Sequence, residues 1–558
     1  MSDQYLAFAA RSSKAKVGLI MSVVFFVLLF RNQGIYPFVF WDEWTYSRLS
    51  RLSSLAEAEI PIYLFLGFFG LTRHCGDEFL GCVRILNGAF FVLALPFIYM
   101  VSRKILSDRC AIIVVLLSAL SPFNIYTALF MPEAVYFFCF WLLTWIALNF
   151  HHIAPRKHSL VLGVALGLMT MIKVHAVLLV PAILALLFYI SVQRTPSCWI
   201  KQFAQMAGVF LLAAVTARMS VGYALAGAAG LNVLGQSYGG HVSGVAGGAE
   251  PLELMTQSIR SLGRHFLILA VMFGVPIAAL LRRPPSAMAG SSFCADQLKY
   301  LHVFTLPLIA TLVVMTSIFT ASILPSYSFQ GVEDVFIRYY NFTFPLLFIV
   351  AAGQISSVTV KELSGRPWIT GILIVSVSIL ALSAAKLVVR SRLESNPEFT
   401  GFLRSELTFH TLSILGIVAT LTWMQNTSRG AKIFFFVYLP LMTTGTMYWS
   451  NKELLGHQRK SVYVRAGTMA ASALKPRERD SLVVVDDDKY GLRPTAALFY
   501  VDRPMAKWFY LSRNEQLDFM SLPSGTRWVL LIGKYSVPTV GTGYYRFEDF
   551  SLLRVPEK

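Results

Sequence analysis

Charge is what this sequence lacks. Of its 558 residues only 14% are Asp, Glu, Lys or Arg, while 56% are apolar, and the mean hydropathy is +0.60. A soluble globular chain carries about 25% charged and about 45–50% apolar residues. The deficit excludes an ordinary soluble domain and predicts a polytopic membrane protein. Acids are scarcer than bases, 30 against 48, for a net charge of +18. The Lys and Arg are scattered through short loops, the topogenic pattern of a membrane protein, so nucleic-acid binding is not expected. Cysteine is also sparse. The six cysteines include no CxxC pair and none near His at zinc-ligand spacing. They are expected as small core residues, and Cys75 and Cys82, which share a loop, are expected to stay unpaired. A cleavable signal is missing too: the first apolar run, KVGLIMSVVFFVLLF, lacks a small-residue cleavage site and reads as an uncleaved first span. No internal repeat is evident.

What is present are apolar runs of span length. They fall near 17–31, 83–101, 111–128, 133–150, 159–173, 176–192, 203–225, 265–281, 301–320, 339–357, 369–388, 408–424 and 431–449, about thirteen in all. Arg11, Lys14 and Lys16 precede the first, and every second loop after it is basic, as at Arg103, Lys104 and Arg109. The positive-inside rule puts these loops and the N-terminus in the cytoplasm. Loop 389–407 is the exception, with Arg390, Arg392 and Arg404 offset by Glu394, Glu398 and Glu406. The loops 32–82, 129–132, 174–175, 226–264 and 321–338 then open on the outer side, as does the tail. Residues 1–449 are expected to form the helical membrane module. Residues 450–558, with strand-like runs LVVV and WVLLIG between Asp, Gly and Pro clusters, are expected to form a small soluble α/β domain outside.

The outer loops hold the unusual residues. "YPFVFWDEWTYSRLSRL" (36–52) places Asp42 and Glu43 where the chain leaves the first span. Leu49, Leu52, Leu55 and Ala56 then recur at helical spacing, which predicts an interfacial helix with Asp42 as its N-cap. IPIYLFLGFFGL (60–71) is too short to span and is expected along the membrane surface. Glu133 follows Pro132 at a helix start. Lys173 and His175 interrupt an otherwise apolar stretch, where an ionisable group is costly and functional by default, although a lysine can also snorkel to headgroups. "GVEDVFIRYYNFTFP" (331–345) brings Glu333, Asp334, Arg338 and Tyr339 beside the tenth span. Arg338 can neutralise a phosphate with a fork of donors, or pair with Asp334. Carboxylates suit general-base work on a hydroxyl, and cations suit a phosphate leaving group. The Gly-rich 235–251 loop reads as a lid or a connector, and "VVVDDDKYG" (483–491) as a solvated strand-end turn.

In this order the residues resemble GT-C glycosyltransferases, most nearly the protein O-mannosyltransferases and lipid A aminoarabinose transferases. The resemblance covers residues 41–190 and rests on Asp42-Glu43, Pro61-Ile62-Tyr63, GDEFLGCVRILNG, Ser121-Pro122, Glu133 and Lys173, with Arg338-Tyr339 and Pro345 farther on. Glu133 departs from many relatives, which have Asp there. The resemblance implies a helical GT-C fold and transfer of a sugar, hexosyl or pentosyl, from a polyprenyl-phosphate donor, with inversion. The acceptor would be a hydroxyl of an extracytoplasmic glycan, lipid or protein. Asp42 would be the base, with Glu43 and Glu133 supporting it or helping Asp42 hold a divalent metal. Lys173, Arg338 and Tyr339 would bind the donor phosphate, with His175, Glu333 and Asp334 in support. A bacterial inner membrane is the expected setting, with site and tail in the periplasm. Two alternatives stay open: a transporter or flippase of lipid-linked sugars, which predicts paired repeats and mid-depth broken helices, and a ligase or polymerase using pyrophosphate-linked donors.

Overall fold

The computed structural model describes residues 2–38, 40–149, 153–233, 235, 251–282, 292–323, 335–356, 396–458, 461–489, 491–536 and 543–556. The expected span at 369–388, Glu333, Asp334 and nearly all of the Gly-rich loop lie outside the described residues. The chain is a helical membrane module carrying a small sheet near its C-terminus. Its helices are α1 (Ser2–Arg31), α2 (Phe40–Arg51), α3 (Tyr63–Gly70), α4 (Phe79–Arg103), α5 (Asp108–Leu120), α6 (Glu133–Leu148), α7 (Pro155–Thr170), α8 (Val180–Arg194) and α9 (Trp199–Ala226). They continue as α10 (Pro251–Leu281), α11 (Ser292–Ile323), α12 (Phe344–Gly353), α13 (Pro397–Leu403), α14 (Glu406–Gln425), α15 (Thr427–Ile433) and α16 (Leu439–Gly456).

Among the described residues, seven helices are long and apolar enough to cross a membrane, or eight if the bent pair Asp108–Leu120 and Pro122–Ala128 is one span. Helices 133–148 and 341–353 are apolar but shorter. Among the described residues, several of the expected runs are not single regular helices. Several runs that look continuous in hydropathy are cut by Pro122, Pro132 and Lys173 into short helices and 3-10 turns. Irregular backbone at membrane depth is tolerated where protein covers it or a cavity needs it, and residues 122–137 are buried throughout.

One pair of helices shows how closely the module packs. On α7, Gly163 and Gly167 face α9, and a Cβ there would lie 2.3 Å from Phe210 O and 2.4 Å from Ala214 O. Two small residues four apart let the backbones touch, which is how membrane helices gain contact without a hydrophobic drive between them.

The ends of the helices sort by charge. Ser13 donates to Asp108 (2.8 Å), Lys104 to Leu148 O (2.6 Å), and the His158 ring meets Ile146 O (3.0 Å). These contacts tie the N-terminal helix to the basic loops at one end. The start of α2, the turn before α6, the break before α8 and residues 335–341 meet at the other.

The 60–71 segment packs one face into the protein. Helix α3 buries Tyr63, Phe65, Leu66 and Phe69, and the Tyr63 hydroxyl donates to Ala229 O (2.8 Å). Cys75 and Cys82 depart from expectation, because they form a disulfide. The turn between them runs through Gly76 at φ +57°, a conformation glycine adopts freely.

Beyond α16 come α17 (Val462–Ala473), β1 (Leu482–Asp486), α18 (Pro494–Val501), β2 (Lys507–Tyr510), β3 (Trp528–Ile532), β4 (Gly543–Arg546) and β5 (Phe550–Arg554). The sheet order is β2-β1-β3-β5-β4. Strand β1 pairs parallel with β2 and β3, while β5 pairs antiparallel with β3 and β4. β1 and β3 are buried along their whole length, as central parallel strands require. One apolar core runs without interruption from the membrane helices into Leu482, Val484, Leu498 and Phe499. The tail is thus fused to the module. Nor is "VVVDDDKYG" a solvated turn. The strand ends at Asp486, which is buried, and the turn brings all three acids to Arg493, at 3.8, 2.7 and 3.7 Å for Asp486, Asp487 and Asp488.

Candidate active site

Helix α2 begins at Phe40, so Asp42 and Glu43 lie in its first turn and Asp42 is not its N-cap. Carboxylates are favourable there because the helix dipole leaves positive charge on the free N–H groups. Consecutive side chains on a helix point about 100° apart, and the two acids go to different places. Glu43 turns inward and is fully buried. It accepts from the backbone N–H of Phe38 (3.0 Å) and of Phe130 (2.9 Å). It therefore staples the entry of α2 to the bend that precedes Glu133. These contacts give Glu43 a structural role beside Asp42.

Asp42 turns toward Arg338, whose Nη1 donates to Oδ2 at 2.9 Å. A second ion pair lies alongside: Lys173 Nζ donates to Glu133 Oε1 at 2.9 Å, with both side chains almost wholly buried. Glu133 opens α6 after Pro132, and Lys173 sits in the break between α7 and α8. Tyr339 joins the two pairs. Arg338 lies 5.3 Å and Lys173 5.2 Å from the centre of its ring, within cation–π range. His175 stacks on the same ring at 4.6 Å and 27°, and Phe319 meets both rings edge-on. The structure thus brings together Asp42, Glu133, Lys173, His175, Arg338 and Tyr339 from four separate segments. Arg338 is committed to Asp42. Its alternative partner, Asp334, lies outside the described residues.

The site is charge-neutral but not saturated. Glu133 Oε2 and Arg338 Nε are buried without a hydrogen-bond partner. Buried polar atoms are nearly always paired, so these two leave the network open. Asp42 and Glu133 do not suit a divalent metal as they stand. Each is already held by a cation, and no group of three or more metal-binding side chains occurs among the described residues.

Sequence reasoning missed Glu398. Both its oxygens accept from Asn341 Nδ2, at 3.3 and 3.2 Å, three residues beyond Arg338. A signal was present, since Pro397-Glu398 repeats the Pro-Glu helix start of Pro132-Glu133.

Residues 76–220, which carry Glu133 and Lys173, match the family described as dolichyl-phosphate-mannose-protein mannosyltransferase. No curated protein matches the chain significantly. Among solved structures it is similar to the archaeal oligosaccharyltransferase AglB from Archaeoglobus fulgidus, in complex with an inhibitory peptide and a dolichol-phosphate. The identity is 12% over 92% of this chain and 69% of that one, with a TM-score of 0.38. It is also similar to an Archaeoglobus fulgidus oligosaccharyltransferase complexed with Zn and sulfate, at 10% identity over 84% of this chain and 59% of that one, with a TM-score of 0.30. Likeness this low carries no conclusion about chemistry.

Proposed function

We propose that this protein transfers a sugar from a polyprenyl-phosphate donor to a hydroxyl of an extracytoplasmic acceptor. The observation that carries the reading is the convergence of the Asp42–Arg338 and Glu133–Lys173 pairs on the face of Tyr339. In the resting state Arg338 masks Asp42. A donor phosphate competes for the guanidinium and the Lys173 ammonium, because an anion with several acceptor oxygens can engage both. Asp42 is then released as a base. It takes the proton of the acceptor hydroxyl as that oxygen bonds to the anomeric carbon and the bond from that carbon to the phosphate oxygen breaks. The polyprenyl phosphate leaves with its charge held by Arg338 and Lys173. Attack opposite the phosphate inverts the anomeric centre.

The acceptor class is a cell-envelope glycan, lipid or protein. The basic loops gathered at the opposite end support a cytoplasmic N-terminus, with the site and the sheet in the periplasm of a bacterial inner membrane. The Cys75–Cys82 disulfide, on the loop after α3, supports an oxidising compartment for the site face.

Polyprenyl-phosphate binding to the purified protein tests the phosphate assignment. Arg338→Ala and Lys173→Ala should each weaken binding about tenfold or more, as loss of a charge-assisted contact implies. Wild-type affinity in both variants would remove the phosphate from this site.

A further inference from the structure

The strip that carries Arg338 has little backbone support of its own. It consists of two three-residue 3-10 turns, Ile337–Tyr339 and Asn341–Thr343, closed by Tyr340 N to Ile337 O (2.9 Å) and Thr343 N to Tyr340 O (3.0 Å). Such turns have poor hydrogen-bond geometry and hold weakly. The support comes from the start of α13. Asn396 Oδ1 accepts from Ile337 N at 2.8 Å, just before Arg338, and Glu398 accepts from Asn341, just after Tyr340. Helix α13 is itself fixed to α16: Ser450 Oγ donates to Pro397 O at 2.8 Å, and a Cβ on Gly401 would lie 2.4 Å from Thr446 O.

We propose that Glu398 is a positioning residue for Arg338: through Asn341 it holds the Arg338–Tyr339 strip in the register that presents the guanidinium to Asp42 and to a donor phosphate. The proposal rests on the phosphate-binding reading of Arg338.

Glu398 is unusual as a mere scaffold. Its carboxyl is 2% exposed, and among the described residues no cation contacts it. An ionised carboxylate in such a place is costly unless hydrogen bonds hold it. Its neighbours are Asn341 and the phenols of Tyr126 and Tyr340, which feel its charge. The contacts made with α13 by α16 and α14 are through Ser450, Thr446 and Phe409, all uncharged. Helix α13 lies outside the candidate spans. Burial pushes the Glu398 carboxyl up to about 7, against the opposing pull of its backbone and Asn341 hydrogen bonds. One amide nitrogen serves both oxygens, a contact that suits the ionised form. Asn341 Oδ1 is buried and unpartnered. A protonated Glu398 would offer that oxygen a donor if the amide turned over, and would thereby loosen the observed anchor.

The test is undecaprenyl phosphate binding to the full-length protein across the pH range, comparing wild type with Glu398→Gln, Glu398→Ala and Arg338→Ala. The probe's own phosphate titrates in this range, so the ratio of variant to wild-type Kd is the readout. Glu398→Gln mimics the neutral acid. Its ratio should lie near one at about pH 5.5 and rise to about fivefold at about pH 8.5, the difference between a charged and a neutral acceptor. Glu398→Ala should bind about tenfold more weakly throughout; if it fails to fold, the Gln variant alone decides. A Gln ratio that stays flat across this range overturns the positioning role. If Arg338→Ala binds like wild type, the phosphate reading itself has failed. If Arg338→Ala is impaired while the Glu398 variants are not, only the role of Glu398 is lost.

Discussion

At the scale of single residues, two adjacent carboxylates have been given opposite tasks by the geometry of a helix. Asp42 faces Arg338, and Glu43 is consumed by two backbone N–H groups. Removing Glu43 leaves both donors buried and unpaired, at about 1–3 kcal/mol apiece. Glu43→Ala should therefore lower the unfolding free energy by several kcal/mol, read as a lower melting temperature of the purified protein. Equal melting temperatures for Glu43→Ala and wild type would refute the staple. The sequence made the DE pair conspicuous and put Glu133, Lys173, Arg338 and Tyr339 on one face of the bilayer, because charges in apolar surroundings stand out. It did not reveal that Glu43 accepts from the 129–131 bend, since that depends on where the bend passes α2. Nor did it bring out Glu398, which sits among arginines in a loop whose charge looked misplaced.

At the scale of elements, the acids that end β1 behave differently from their appearance in the sequence. Burial raises the Asp486 carboxyl to about 6, reinforced by its bond to Asp487 and opposed by Arg493. The folded state then binds that proton more tightly than the unfolded chain, whose value is 3.8. The contribution of this group to stability is full below about pH 4 and is lost as pH rises through about 6. Thermal unfolding between these limits should show a decline that Asp486→Asn abolishes; an unchanged slope in the variant would rule out the linkage. Hydropathy predicted the long helices and the two central strands well, since each needs only its own residues. It failed where elements are short. Helix α3 and the 3-10 turns at 122–128 and 174–179 owe their form to neighbours, and the Cys75–Cys82 bridge depends on one glycine turn.

At the scale of the whole molecule, the C-terminal sheet region is coupled to the helix that carries Asp42. Arg51, in the last turn of α2, pairs with Asp502 just beyond α18 and lies 3.4 Å over the Phe79 ring. Phe79 in turn meets Phe499 at 5.4 Å, and Tyr36 meets Tyr500 at 6.2 Å. The tail, expected as a small soluble α/β domain, thus contacts the helix that carries Asp42. Its hydrophobic pattern could not show this, because the partners of α18 lie more than four hundred residues away (Arg51 to Asp502). A double-mutant cycle on Arg51→Ala and Asp502→Ala should return a coupling energy of about 1–3 kcal/mol. Additive effects would mean that the two regions are stable independently of this contact.

The central claim is that Asp42 is the base of a glycosyl transfer from a polyprenyl-phosphate donor. The most direct measurement is sugar transfer by purified Asp42→Asn in lipid vesicles, alongside its undecaprenyl phosphate binding and melting temperature. The account predicts a folded protein that still binds the lipid phosphate through Arg338 and Lys173, with transfer reduced by about 10²–10⁴-fold, the usual contribution of a general base. Transfer at the wild-type rate by that folded variant would contradict it.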